Sequence, residues 1–145
     1  MREETRLYEQ APIEISASEL APPVVTYVGP GNVWRLEEEY TYRDGVHAIS
    51  VPDGFRFDLA SIPRIFWWLI APFELSVAAP LLHDFLYEHN GAPPPGAVEP
   101  PRTYSRREAD HLFRHVMEVE GVPGWRRTLA FVAVRAFGWL GWRQS

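Results

Sequence analysis

The hydrophobic pattern of this chain changes its period near residue 57, and that change limits the possible folds more than any other feature. Between residues 24 and 57, β-branched and aromatic residues form short runs separated by Gly-Pro-Gly and Asp-Gly turn signals. Beyond that point the apolar residues recur at the spacing of one face of an α-helix. The sequence therefore predicts an α+β fold, in which a small antiparallel β-meander packs on three to four helices.

Four helical segments are predicted in the second part of the chain. A short helix follows Ser61-Ile62-Pro63, and a second one covers about residues 76–89. Ser105 and Glu108 form a capping box at the start of the third helix. The fourth, at about residues 125–142, is apolar almost all round, which is typical of a helix that is buried centrally or meets a partner or a membrane surface.

Length and composition favour one domain. Residues 24–145 are predicted to form a single globular domain, and residues 1–23, which lack a sustained period, an extended N-terminal arm. The formal net charge of −5 argues against general nucleic-acid binding, and the absence of Cys excludes disulfides and thiolate metal sites. No apolar signal segment begins the chain, and its most hydrophobic stretch is shorter than the roughly 20 residues of a membrane span. We therefore expect synthesis in the cytoplasm and no transmembrane segment.

Three functional groups lie within the apolar run of the second predicted helix. His83 and Tyr87 are four residues apart and share one face, whereas Asp84 lies about 100° further round the axis. Burying titratable groups costs several kcal/mol unless each finds a partner, so the fold must supply partners here. The cluster therefore serves either a chemical reaction or an internal polar contact.

Asp110 on the third helix is the predicted partner of His83, because antiparallel helices packed about 8–10 Å apart can bring the two together. A carboxylate on one imidazole nitrogen fixes the tautomer and lets the other nitrogen accept a proton from water. Asp84 and Asp58 are candidate ligands of a divalent cation, calcium or zinc. Such a site would hydrolyse an ester or amide. Alternatively, Tyr87 fills the core, the His-Asp pair is structural and Asp58 caps the short helix.

The other histidines and several tryptophans have a less specific pattern. A surface or flanking position is predicted for His47, His89, His111 and His115. Core packing is predicted for Trp67-Trp68 and for Trp139 with Trp142, because Trp is commonly buried, and a membrane-contacting aromatic surface is the alternative.

The ordered set of motifs resembles a small domain family of unknown function that is common in bacteriophage and prophage genomes. The resemblance covers roughly residues 40–142. It rests on Gly54-Phe55, Asp58-x-Ala60-Ser61-x-Pro63-Arg64, His83-Asp84-x-x-Tyr87, Ala109-Asp110 after Arg107, Met117, and Arg135-x-Phe137-Gly138. It implies a phage or prophage origin and brings no established activity.

A second, local resemblance concerns the helix that carries His83. The His-Asp-x-x-Tyr segment, with an Asp from another helix, looks like the arrangement in phospholipase A2. That resemblance implies that His83 activates water, that Asp84 holds calcium, and that Tyr87 and Asp110 support the histidine. The chain departs from the pattern because it has no Cys and no Gly-rich calcium loop before the helix.

Two functional hypotheses follow. The first is a phage-encoded hydrolase-like protein that acts on a lipid or cell-envelope ester or amide. The second is a non-catalytic virion component, associated with the tail, whose His-Asp cluster is a structural network. In the second case the N-terminal arm and the last helix would contact phage structural proteins or another copy of the chain. The first hypothesis requires His83 to be reachable from solvent, whereas the second allows it to be sealed and predicts an apolar patch near residues 131–142.

Overall fold

The computed structural model describes residues 22–29, 33–57 and 77–142. Most of the predicted N-terminal arm lies outside the described residues. Asp58, the predicted short helix after Ser61 and the Trp67-Trp68 pair also lie outside them.

Short strands form two antiparallel sheets in the described part of the chain. Strand β2 (Val33–Leu36) is central in the first sheet and pairs with β1 (Val25–Gly29) on one side and with β5 (Arg56–Phe57) on the other. The second sheet contains β3 (Tyr40–Asp44), β4 (His47–Val51) and β6 (Val98–Glu99), with β4 in the centre. The α+β class is thus confirmed, with the strands divided between two small sheets.

The division between the sheets has a local cause at the end of β2. The Leu36 amide donates to the carbonyl of Phe55 at 2.8 Å, so β2 continues along β5. Residues 37–39 then bend away, and β3 starts a new hairpin with β4. On this hairpin Tyr42 pairs with Ile49, and both are buried. The neighbours of these two residues along each strand are more exposed. The alternating pattern thus defines one core face of the second sheet.

Three α-helices are present in the described residues. They are α1 (Ala78–Glu88), α2 (Arg106–Val119) and α3 (Gly124–Phe137), and a 3-10 turn, Gly138–Leu140, follows α3. The predicted capping box is formed: Ser105 Oγ accepts from the Glu108 amide, and the Glu108 carboxylate accepts from the Ser105 amide, each at 3.0 Å. These two bonds satisfy donors that the first turn of α2 would otherwise leave unpaired.

The helices bury very different fractions of their surfaces. Nearly every side chain of α1 is buried, because this helix lies between the strands and the other helices. The α2 helix buries the predicted stripe that includes Phe113 and Met117. In α3, only Ala130, Ala133 and Val134 are buried. Of the two outcomes predicted for this helix, the structure therefore shows a partly exposed position and not a central one.

The tryptophans after α3 differ in environment. Trp142 is partly buried and packs edge-on against Tyr87, with ring centroids 5.0 Å apart. Trp139, which was predicted to pack in the core, is 62% exposed, because it follows Gly138 in the 3-10 turn and lies on its outer side. No helix among the described residues is long and apolar enough to cross a membrane.

Candidate active site

His83 and Tyr87 occupy successive turns of α1 and stack against each other. Their ring centroids are 4.0 Å apart with an interplanar angle of 33°. His83 also contacts the ring of Phe113 on α2, at a centroid distance of 4.9 Å. The four-residue spacing in the sequence therefore places both polar groups on the face of α1 that packs on α2.

Asp110 completes this cluster from α2. Its carboxylate is fully buried, and its Oδ1 lies 2.8 Å from His83 Nε2. The Tyr87 hydroxyl donates to the same oxygen at 2.5 Å. The contact predicted between the second and third sequence helices is thus present, with Tyr87 as a further partner of the carboxylate.

Two arginines hold the other carboxylate oxygen. Arg135 of α3 donates to Asp110 Oδ2 at 2.8 Å, and Arg106 Nη1 lies 3.8 Å from it. Arg106 is itself fixed by the carbonyls of Val134 and Arg135, at 3.3 and 3.1 Å. Asp110 therefore joins α1, α2 and α3 through one buried group.

The environment of Asp110 keeps it ionised. Burial is the largest single influence and raises the pKa of this carboxyl. The hydrogen bond and charge of His83, together with the bonds from Tyr87 and Arg135, outweigh it, so the pKa of Asp110 is lowered. An ionised carboxylate only accepts hydrogen bonds. His83 Nε2 must therefore carry the hydrogen, and in the neutral imidazole Nδ1 is left as the proton acceptor.

Tyr87 is held in its protonated form. Burial raises the pKa of its hydroxyl most, and the hydrogen bond and charge of Asp110 raise it further, against a smaller opposite influence of Arg106. A protonated hydroxyl can donate to Asp110 throughout the physiological pH range. In this arrangement the Tyr87 hydroxyl holds the carboxylate of Asp110.

The cluster is covered by the end of the chain's last helix. His83 is only 4% exposed, and Asp110 is completely enclosed. A Cβ atom at Gly138 would lie 2.6 Å from the Tyr87 hydroxyl, so the backbone there approaches closely because it has no side chain. Together with Trp142, Gly138 closes this side of the cluster.

The proposed cation ligands are not assembled by the described residues. Asp84 is half-buried and adjoins His83 on α1, and Asp58 lies outside the described residues. Among the residues that are described, no group of three His, Cys, Asp or Glu side chains could hold a metal ion. A carboxylate suits a hard cation such as calcium, but Asp84 alone does not make a site.

The remaining histidines lie at the edge of the fold. His111 and His115 are exposed on α2, and His111 lies near the ring of Phe131. His47 Nδ1 is 2.7 Å from the carbonyl of Pro100, and His89 packs on Phe85. They are separate from the cluster, as the sequence predicts.

Arg106 and Arg135 are the parts of the cluster that reasoning from the sequence missed. Arg135 belongs to the family pattern and is a charge within an apolar helix, which suggests a buried partner, but neither signal assigned it to Asp110. Arg106 had no such signal, because it lies in the polar first turn of α2.

The fold and the cluster define an α+β protein with a buried His-Asp-Tyr group clamped by arginine. The chain belongs to the family described as a protein of unknown function, DUF1353, which matches residues 34–134. It is also similar to the uncharacterized protein y4jT of Sinorhizobium fredii, with 32% identity over 113 residues. This match covers 75% of the chain and 30% of y4jT, so the chain spans less than a third of that relative. No solved structure matches. The predicted membership of a family of unknown function is confirmed.

Proposed function

We propose that this chain is a phage-encoded, hydrolase-like protein that acts on an ester or amide bond of a lipid or of another cell-envelope component. His83 would serve as the general base, Asp110 would orient it, and Tyr87 would hold Asp110. The observation that carries this proposal is the 2.8 Å contact of His83 Nε2 with Asp110 Oδ1, the oxygen to which Tyr87 also donates.

The proposed reaction uses water as the nucleophile. His83 Nδ1 takes a proton from water while the water oxygen forms a bond to the carbonyl carbon, giving a tetrahedral intermediate. When the intermediate collapses, the bond to the leaving oxygen or nitrogen breaks, and the proton held on Nδ1 passes to the leaving group. Asp110 remains ionised throughout and stabilises the imidazolium that forms in between.

A divalent cation, calcium or zinc, is a further part of the proposal. Asp84 and Asp58 would supply its oxygen ligands, and the cation when bound would polarise the scissile carbonyl. Calorimetric titration of the wild type and of Asp84→Asn with calcium and with zinc tests this element alone. Equal heats for the two proteins would remove Asp84 from the role of ligand.

A second candidate function is favoured by the low exposure of His83. At 4% exposure, its ring must become accessible before substrate can reach it, whereas a structural network needs no access. A virion component, associated with the phage tail, with Asp110 as a structural centre would have the same hydrogen bonds. The two functions therefore differ in whether the protein hydrolyses a substrate and not in the hydrogen bonds of the cluster.

The test is hydrolysis of phospholipid vesicles and of isolated cell-wall sacculi by the wild type, His83→Gln and His115→Gln. We expect His83→Gln to lose about a hundredfold or more in rate, as is usual when a general base is removed. The exposed His115 lies on α2 outside the cluster, so its variant should keep the wild-type rate. Wild-type turnover no greater than that of His83→Gln on both substrates would refute the hydrolase and favour the structural candidate.

A further inference from the structure

The outer side of α3 and of the following 3-10 turn carries large apolar side chains that the fold leaves exposed. Trp125, Leu129, Val132, Trp139 and Leu140 are between 45% and 62% exposed. We call this set the α3 face. Such an extended row of Trp, Leu and Val differs from the isolated apolar residues that occur on most protein surfaces.

The α3 face is continuous because of its spacing along the helix. Trp125, Leu129 and Val132 follow each other at intervals of four and three residues, which places them within about 60° of one another. The opposite side of α3 packs Ala130, Ala133 and Val134 against the protein. From its first to its last residue the face is roughly 22 Å long, enough for a helix lying in the plane of a surface.

The segment that carries the α3 face is basic although the whole chain is acidic. Residues 121–145 contain four Arg, of which Arg135 is paired with Asp110, and no Asp or Glu, within a chain of net charge −5. Arg126 follows Trp125 about 100° round the helix. On the other side, Arg114 of α2 lies over the ring of Phe131, 5.3 Å from its centroid. Arg114 and the partly buried Arg126 thus lie at the two edges of the apolar stripe.

We propose that the α3 face docks onto the surface of an anionic lipid bilayer. Apolar side chains with Trp near both ends, flanked by arginine, suit insertion at the boundary between acyl chains and negatively charged headgroups. A second copy of the chain is a poorer occupant, because pairing two α3 faces would bring arginine-rich surfaces together without acidic partners from this segment.

The docking surface is directly connected to the candidate active site. Arg135 of α3 donates to Asp110 at 2.8 Å, and Gly138 and Trp142 lie against Tyr87. Binding of α3 to a bilayer would place the cluster close to the lipid headgroups. That the bound lipid is also the substrate rests on the proposed function. The docking itself rests only on the exposed apolar residues of the α3 face.

Sedimentation of the full chain with vesicles tests the docking. Vesicles of phosphatidylcholine with phosphatidylglycerol are compared with vesicles of phosphatidylcholine alone. We expect binding that requires phosphatidylglycerol and that weakens at about 0.5 M salt, where charge interactions are screened. The double variant Trp125→Ser/Trp139→Ser should lower the partition coefficient by about tenfold or more, because two large apolar groups are removed. Val46→Ser removes a side chain that is 71% exposed on a distant turn and should bind as the wild type does.

Three results would overturn the docking proposal. They are a lack of sedimentation with either vesicle, equal binding to both vesicles, and a dimer in solution that the double variant converts to a monomer. The last result, read from light scattering without lipid, would assign the face to a second copy. The variant His83→Gln should still bind vesicles, so a failure of docking and a failure of hydrolysis are distinguishable.

Discussion

Replacing Asp110 with Asn should destabilise the protein strongly, because it removes the charge that three elements share. The carboxylate accepts from His83, Tyr87 and Arg135, and a hydrogen bond to a charged group contributes about 1.5–3 kcal/mol. The sum overstates the loss, since the neutral amide also avoids the desolvation cost of a buried charge. We expect a net loss of about 3–5 kcal/mol, the usual cost of breaking a buried ion pair by removing one partner.

The assay is urea denaturation of the wild type, Asp110→Asn and the control Asp53→Asn. Asp53 is exposed in a turn, so its variant should stay within about 0.5 kcal/mol of the wild type. The loss at Asp110 corresponds to a fall of about 10 °C or more in melting temperature for a chain of this length. A loss below about 1 kcal/mol would refute the role of Asp110 as the shared acceptor.

The pH dependence gives an independent check on the same reasoning. The pKa of Asp110 is lower in the folded protein than in the unfolded chain. The stability that Asp110 contributes is therefore fully present above its pKa in the unfolded chain, about 3.9. It is lost as the pH falls through the lower pKa of the folded protein. The difference in unfolding free energy between the wild type and Asp110→Asn should narrow as the pH falls below about 4. A difference that did not narrow in acid would contradict an ionised Asp110.

Two further predictions concern the backbone and the buried tyrosines. Gly91→Ala should cost more than about 2 kcal/mol, because φ is +77° and the new Cβ would lie 1.7 Å from the Tyr104 carbonyl oxygen. Urea denaturation of Gly45→Ala, where φ is +62° with no atom within 4 Å, gives the backbone cost alone, and equal losses would contradict the clash. Burial raises the pKa of Tyr42 to about 12, and three other tyrosines also have raised pKa values, so stability present below about pH 10 is lost as the pH rises. At pH 11 each of these four should cost about 1.4 kcal/mol, so the circular dichroism signal should fall as they ionise. Ionisation of these four tyrosines near pH 10 without unfolding, read from tyrosinate absorbance, would contradict this. The tyrosines concerned are Tyr40, Tyr42, Tyr87 and Tyr104.

The centre of the candidate site was predictable because two local patterns met a simple packing rule. The four-residue spacing of His83 and Tyr87 fixes their shared face in any α-helix. Asp110 lies among the apolar positions of a helix with a clear core stripe, so its carboxylate had to point inward or lie at the edge. Once α1 and α2 pack together, the three groups meet. The start of α2 was also predictable, since its capping box is a local signal.

The partners from more distant elements were not predictable. Arg135 reaches Asp110 only because α3 packs on α2, and nothing local to residue 135 encodes that contact. The short β6 strand in the Pro-rich loop depends likewise on β4, which supplies its hydrogen-bonding partner. The division into two sheets follows from the pairing of β2 with β5, a contact between residues about 20 positions apart in the sequence. In each case the missing information lay in tertiary packing.

The exposed side of α3 shows a different limit of sequence analysis. A helix that is apolar on all sides is compatible with burial and with an exposed docking surface, because both produce the same hydrophobic pattern. The side of α3 that faces the protein is identified only by the burial of its small residues, among them Ala130 and Ala133. The larger residues are then left on the outer side.

The protonation state of His83 tests the central claim most directly. In protein with isotope-labelled histidine, nitrogen-detected NMR at a pH at which the ring is neutral distinguishes the two ring nitrogens. The account predicts a neutral imidazole with its hydrogen on Nε2, bonded to Asp110, and an unprotonated Nδ1. A neutral ring with its hydrogen on Nδ1 would contradict it, because Nδ1 could then not accept a proton from water.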